Sequence, residues 1–161
     1  MMENITNNLI RHKKKIEHFI NTLQDEKKYF NLNTDRLMKW EFVLIKQVDN
    51  EIIAVAGLEK KLSIFRDNVI VKAAYQRKGQ GRKILCELID QTKERYTLLM
   101  AVISEHNLAS LELHFKTGYK MIGRRQSLDY LAKPINRKGT FLYYLLKTLF
   151  PLIKVADLIR R

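Results

Sequence analysis

The sequence predicts a mixed α/β domain: a mixed sheet with helices on both faces. Three observations carry this. Tyr96 to Ile103 is a nearly continuous apolar run, strand-like in length and too apolar to leave one face in water. Trp40–Val48 and Glu51–Ala56 read as strands joined by the tight-turn pair Asp49-Asn50, the pattern of a hairpin. Between such strands, Ile84, Leu85, Leu88 and Ile89 recur at helical spacing, so a helix with one apolar face must cover a sheet.

In chain order, Ile16, Phe19, Ile20 and Leu23 predict an amphipathic helix over residues 6–29. The hairpin follows, then a third strand over Leu62–Val71 that ends in Val69-Ile70-Val71. A helix is expected from Gln80 to Lys93 and the apolar strand from Tyr96 to Ile103. Leu108, Leu111 and Phe115 mark a further helix, stopped by Gly118 as its C-terminal cap. Tyr119–Arg125 and Thr140–Leu146 are expected as the last strands, and Pro151 as the start of a basic amphipathic helix carrying Leu152, Val155, Ala156 and Ile159 on one face. No linker or repeat divides the chain. Residues 1–161 therefore read as a single domain, with a helical start over 1–30 and a C-terminal amphipathic segment over 147–161.

Hydrophobic residues make up 46% of the chain and charged residues 29%, a globular composition and not a disordered one. Thirty Lys and Arg face 17 Asp and Glu, for a formal net charge of +13. Such an excess favours anionic partners, whether nucleic acid, acidic lipid or a phosphate-rich ligand. The basic residues are dispersed in pairs such as Lys27-Lys28 and Arg160-Arg161, as on ordinary solvated faces. Cys86 is the only cysteine, which excludes an intrachain disulfide, and its apolar neighbours suggest a buried thiol. Arg11 to Lys15 occupy the place where an export signal needs an apolar run, so a cytoplasmic location is expected. Phe141 to Ala156 is apolar, yet Lys147, Pro151 and Lys154 interrupt it, and it falls short of the ~20 residues of a spanning helix.

The informative segment is Val71-Lys72-Ala73-Ala74-Tyr75-Gln76-Arg77-Lys78-Gly79-Gln80-Gly81-Arg82. It links a strand to a helix through two glycines one residue apart. The first amides of a helix lack intrahelical partners and the dipole end is positive, so this turn suits an anion. Glycine lets the backbone approach phosphate oxygens closely, and Arg77, Lys78, Arg82 and Lys83 add charge. A lone Gly-x-Gly is otherwise an ordinary connector.

The Gln-x-x-Gly-x-Gly turn after a strand ending in Val resembles the coenzyme A pyrophosphate loop of the GNAT N-acetyltransferase superfamily. Downstream, Asn107-Leu108-Ala109-Ser110-Leu111-Glu112-Leu113-His114-Phe115-Lys116-Thr117-Gly118-Tyr119 is similar to that superfamily's Asn-x-x-Ser-x-x-x-(Tyr or His)-x-x-x-Gly-(Phe or Tyr) segment. The two motifs stand in the right order, about 26 residues apart. The resemblance covers residues 40–125. The second motif is most similar to the phosphinothricin and methionine sulfoximine acetyltransferases, and the loop to the ribosomal-protein alanine acetyltransferases.

The resemblance implies a mostly antiparallel central sheet and acetyl-CoA as co-substrate, with no metal. By it, the backbone of Val69, Ile70 and Val71 holds the pantetheine arm. Gln76, Arg77, Lys78, Gly79, Gln80, Gly81 and Arg82 hold the pyrophosphate, and Asn107 contacts the cofactor near the thioester. A backbone amide near Val71 polarises the acetyl carbonyl. An acceptor amine, on a small molecule or a protein N-terminus, then attacks directly. His114 stands where many members have a Tyr that protonates the departing thiolate. An imidazole of pKa ~6.5 can give a proton to a thiolate whose thiol has pKa ~8.5.

Three departures limit the inference. Val102 occupies the position of a Glu that serves the alanine acetyltransferases as base. Glu105 reads as a solvated turn residue, and Glu59 or Asp67 could act only through water, so the base is unassigned. The superfamily opens with a strand where this chain reads as helix, which obscures the acceptor pocket. His12, His18 and His106 share no metal-ligand spacing with a carboxylate or cysteine.

The competing readings are an acyl-CoA-binding regulator without catalysis, motivated by Val102, and a basic nucleic-acid-binding module. Against the latter, no helix-turn-helix, zinc-finger or RNA-stacking signature is present and aromatics are only 9%. The expected partners are thus acetyl-CoA and an amine, with no nucleic acid. A homodimer and a peripheral membrane contact through the C-terminal basic segment stay open.

Overall fold

The computed structural model describes residues 1–23, 32–61 and 64–152. Among the described residues there are seven strands: β1 (Met2–Asn4), β2 (Phe42–Val48), β3 (Glu51–Lys61), β4 (Ile64–Val71), β5 (Leu98–Ser104), β6 (Lys120–Arg125) and β7 (Leu128–Pro134). The helices are α1 (Leu9–Thr22), α2 (Thr34–Leu37), α3 (Gln80–Thr92), α4 (Leu108–Lys116) and α5 (Arg137–Leu149). The strand order is β1-β2-β3-β4-β5-β7-β6. The β4–β5 pair is parallel, whereas β1–β2, β2–β3, β5–β7 and β6–β7 are antiparallel. The expected mixed, mostly antiparallel sheet is therefore present. The chain forms two compact units, Met1–Glu59 with Asn68–Asp90, and Lys60–Asp67 with Gln91–Arg161.

In the first unit, the β2–β3 hairpin turns at Asp49 (φ 48°) and Asn50 (φ 64°), the paired left-handed residues of a two-residue primed turn. Phe42, Val43, Leu44 and Ile45 are all buried, so this strand has both faces covered. Val43 and Ile45 share a core with Ile16, Phe19 and Ile20 of α1 and with Ile52 and Val55 of β3. The amphipathic spacing read in the sequence is thus the packing face of α1. A short first strand does exist: β1 pairs with β2, with Met2 opposite Lys46 and Asn4 opposite Leu44. The helix expected over 6–29 begins as a 3-10 turn at Thr6–Asn8 and runs as α1 to Thr22, and its expected end lies outside the described residues.

Cys86 is exposed, not buried as its neighbours suggested. On α3 the buried face is Ile84, Leu85 and Leu88, and at about 100° per residue position 86 points away from that face.

In the second unit, β5 pairs with β7 from Leu98 opposite Pro134 to Ser104 opposite Leu128. β6 and β7 form a hairpin whose turn residues, Gln126 (φ 49°) and Ser127 (φ 59°), are again left-handed. Neither residue type announces such a turn, and β7 carries no expectation in the sequence reading. The strand expected at Thr140–Leu146 is instead part of α5. Its Phe, Tyr and Leu content suits a strand, but Asn136 caps the helix by accepting from the Gly139 amide (3.0 Å). Tyr143 then packs with Met100, Ile122, Tyr130 and Ala132, joined by Leu146 and Phe150 from the same helix face. The helix expected to start at Pro151 lies almost wholly outside the described residues; Pro151 and Leu152 form a turn. No helix among the described residues is long and apolar enough to cross a membrane.

Gly139 marks the closest approach in this layer. A Cβ there would sit 1.8 Å from the Thr97 carbonyl oxygen, which is itself fixed by the Ile135 amide at 2.9 Å. Gly139→Ala is therefore expected to destabilise the protein by about 1–3 kcal/mol, since backbone must move to admit the methyl. A denaturation midpoint equal to that of wild type would contradict this packing.

Candidate active site

The first unit presents the glycine turn. β4 ends at Val71, a 3-10 turn spans Ala73–Tyr75, and α3 starts at Gln80. Arg77 (φ 55°) and Gly79 (φ 74°) are left-handed and turn the chain from the strand into α3, whose first amides have no partner within the helix. The Gln76 side chain donates to the Val71 carbonyl (2.9 Å) and ties the turn to its strand. The Lys83 amide bonds the Gly79 carbonyl (3.1 Å), closing the first turn of the helix. A Cβ built at Gly79 would meet nothing within 4 Å, so the backbone there borders open space. Arg77, Lys78, Arg82 and Lys83 are all exposed around it. A helix start, open space and four cations fit a pyrophosphate. At the strand end, the Lys72 amide donates to the Ile53 carbonyl (3.0 Å), which removes it from the candidates for polarising an acyl oxygen.

The second unit holds a buried polar cluster. His114 on α4, 3% exposed, places Nε2 3.0 Å from Asp67 Oδ1 and Nδ1 2.7 Å from the Ser110 carbonyl oxygen. The Ser110 carbonyl can only accept, so Nδ1 carries a proton, and Nε2 faces the Asp67 carboxyl group. The Tyr119 hydroxyl donates to the other oxygen of Asp67, and its ring stands edge-on to the imidazole with centroids 4.9 Å apart. Burial alone would push the His114 pKa down, but the charge and hydrogen bond of Asp67, with the Ser110 carbonyl, outweigh it and hold it above the ordinary 6.5. Burial and the adjacent Asp67 carboxylate push the Tyr119 phenol well above 10, so it stays a neutral donor. Both ring nitrogens are thus directed at protein acceptors, and the Asp67 contact favours the protonated ring.

Asn107, the other motif residue of this unit, caps α4: its Oδ1 accepts from the Ser110 amide at 3.2 Å. Its side-chain oxygen therefore orients the helix that carries His114. Val69, Ile70, Val71 and the loop residues 76–82 belong to the first unit, and Asn107 and His114 to the second.

The carboxylates weighed as bases are all engaged. Glu59 is buried and bound by Arg36 through two hydrogen bonds, 2.7 and 3.2 Å. Glu105 pairs with Arg124 (2.9 Å), which also grips the buried Asp129 at 2.6 and 2.9 Å, so Glu105 is more than a solvated turn residue. The sequence reading missed the union of Asp67 and Tyr119 with His114. A carboxylate within an apolar strand such as Ile64–Val71 was the available signal, because a buried charge requires a partner. Among the described residues no three His, Cys, Asp or Glu side chains gather as metal ligands.

Residues 12–119 match the family described as Acetyltransferase (GNAT) family. No curated protein matches the chain in sequence. Among solved structures, a putative acetyltransferase from Salmonella typhimurium with its cofactor acetyl-CoA superposes at TM-score 0.61 and 20% identity, over 85% of this chain and 95% of that one. The ribosomal-protein-S18-alanine N-acetyltransferase from Escherichia coli gives 0.63 and 20%, over 84% and 95%. The GNAT domain of S. lividans PAT gives 0.70 and 16%, over 83% and 89%. The family match spans well over half of the chain and the fold agrees with it throughout, so this protein belongs to the GNAT family of acetyltransferases.

Proposed function

We propose that this chain takes the acetyl group from acetyl-CoA and delivers it to an amine, which attacks the thioester carbonyl directly. A C–N bond forms, the C–S bond breaks, the departing thiolate takes up a proton, and the attacking nitrogen gives one up to solvent, so the protons balance. The observation that carries the reading is the turn at residues 76–82, where a helix start, open space at Gly79 and four exposed cations suit the cofactor pyrophosphate. Val69 to Val71 hold the pantetheine arm through their backbone. Asn107 commits its oxygen to the helix cap, so its contact with the cofactor falls to its Nδ2 amide. His114 is the proton source: the Asp67 pair raises its pKa above the ordinary 6.5, and delivery requires Nε2–H to exchange Asp67 for sulfur. We place the reaction in the cytoplasm and leave the acceptor amine open.

Saturating acetyl-CoA, about 100-fold above Kd, is expected to add about 2.7 kcal/mol of stability and raise Tm by roughly 5–10 °C. Thiol release with a panel of amines then reads the transfer itself. Absence of any shift at millimolar acetyl-CoA would sink the proposal. A shift without thiol release on any amine would favour the acyl-CoA-binding regulator, a reading supported by Val102 and by the committed N–H groups of His114.

A further inference from the structure

The last described helix of the second unit, α5, has two apolar faces. Gly139, Tyr143, Leu146 and Phe150 face the core, yet Phe141, Leu142, Tyr144, Leu145 and Leu149 are exposed, as is Leu152 just beyond the helix. Phe141 and Tyr144 are 68% and 59% exposed, an unusual cost for aromatic side chains in water. At 3.6 residues per turn the five helical positions cover about 160° of arc on the side opposite the core. Arg137, Lys138 and Lys147 are exposed on the same helix, and Lys120 is exposed beside it, its ammonium 5.8 Å from the Tyr143 ring centroid. From Tyr130 to Leu152 the sequence contains no Asp or Glu.

We propose that this face of α5 docks on an anionic lipid bilayer, with the helix lying in the interface. Charge selects the occupant. A second copy would bring the same carboxylate-free basic helix against this one and repel it, whereas anionic headgroups neutralise Arg137, Lys138 and Lys147 while acyl chains take the leucines. Phe and Tyr side chains suit the boundary between headgroup and hydrocarbon. The inner leaflet of a cell membrane supplies negative charge, which matches a chain of net charge +13. The docking stands apart from acetyl transfer, and its test does not use that reaction.

The test is sedimentation of the full chain with vesicles of pure phosphatidylcholine and of phosphatidylcholine with 30% phosphatidylglycerol. Binding is expected to the anionic vesicles, weak or absent on the neutral ones, and reduced by added salt. Phe141→Ser with Leu145→Ser, both at exposed positions, is expected to lower the partition coefficient ~10-fold or more, and Lys138→Glu with Lys147→Glu to act similarly. Circular dichroism of each variant, unchanged from wild type, confirms that the fold survives. No binding to anionic vesicles, or equal binding by the serine variant, would overturn the proposal. So would equilibrium sedimentation showing a dimer that the serine variant dissolves, since a second copy would then occupy the face. If the C-terminal residues 153–161 cover the helix instead, their removal would create binding that the full chain lacks, which also overturns it.

Discussion

Replacing His114 with Phe is expected to lower kcat by about 10²-fold or more with little change in KM for acetyl-CoA, because the lost proton transfer is made in the transition state. The same change should also destabilise the fold. It leaves the buried Asp67 carboxylate with only the Tyr119 hydroxyl, and removing one partner of a buried ion pair costs about 3–5 kcal/mol. Rates must therefore be taken per folded molecule. His114→Tyr is expected to recover part of both losses, since a phenol can donate to Asp67 and can also protonate a thiolate. Two pH profiles separate the roles. The folded-state pKa of His114 lies above its unfolded 6.5. Its stabilisation is then fully present below pH ~6.5 and is lost as pH rises through the folded value. Wild type should accordingly lose Tm across that window, and His114→Phe should not. The wild-type rate should fall on the alkaline side at the same raised pKa, and with Tyr that limb should move towards ~10. If His114→Phe keeps full kcat with a good acceptor while the Tm profile flattens, His114 is an ion-pair residue and the thiolate is protonated by another group.

The second large effect is expected at the glycine turn. Gly81 lies in the first turn of α3, where any L-residue can adopt the helical backbone. Gly81→Val should therefore keep the helix while placing two methyl groups beside the first amides of α3, where the pyrophosphate is proposed to bind. A hydrogen bond to a charged group contributes about 1.5–3 kcal/mol, so Kd for acetyl-CoA should rise roughly 10- to 100-fold. Gly79→Val adds a different penalty. Its φ of 74° is left-handed, and a β-branched residue there costs about 1–2 kcal/mol in strain even though its Cβ meets nothing within 4 Å. Calorimetric titration with acetyl-CoA reads the first effect and thermal melting the second. Unchanged affinity in both variants would reduce the turn to a connector.

Much of the fold was legible because it rests on local rules. Asp49-Asn50 announced its turn by residue type, and both residues are left-handed. The apolar run at Tyr96–Ile103 is β5, and the glycine turn joins β4 to α3 at the expected residues. These features follow from backbone sterics and side-chain periodicity within a few residues. Where local preference and packing disagree, the sequence misled. Thr140–Leu146 has the composition of a strand, but the Asn136 cap and the core contacts of Tyr143, Leu146 and Phe150 make it helix. The Gln126-Ser127 turn lacks Asn or Gly, so β7 was invisible until its pairing with β5 and β6 was seen.

The site divides along the same line. The candidate residues came from two motifs, because spacing along one turn or one helix determines what those residues can do together. What those side chains touch was decided by tertiary structure alone. Asp67 and His114 are 47 residues apart, and Asp67 and Tyr119 are 52 apart. No periodicity links such positions. Only the pairing of strands and the packing of α4 bring a buried carboxylate to a ring whose other nitrogen already faces a carbonyl. The exposed face of α5 has the same origin. A helix whose residues are apolar nearly all round gives no hint of which side the core will take, and here the core took Tyr143 and Phe150 and left Phe141 and Tyr144 outside.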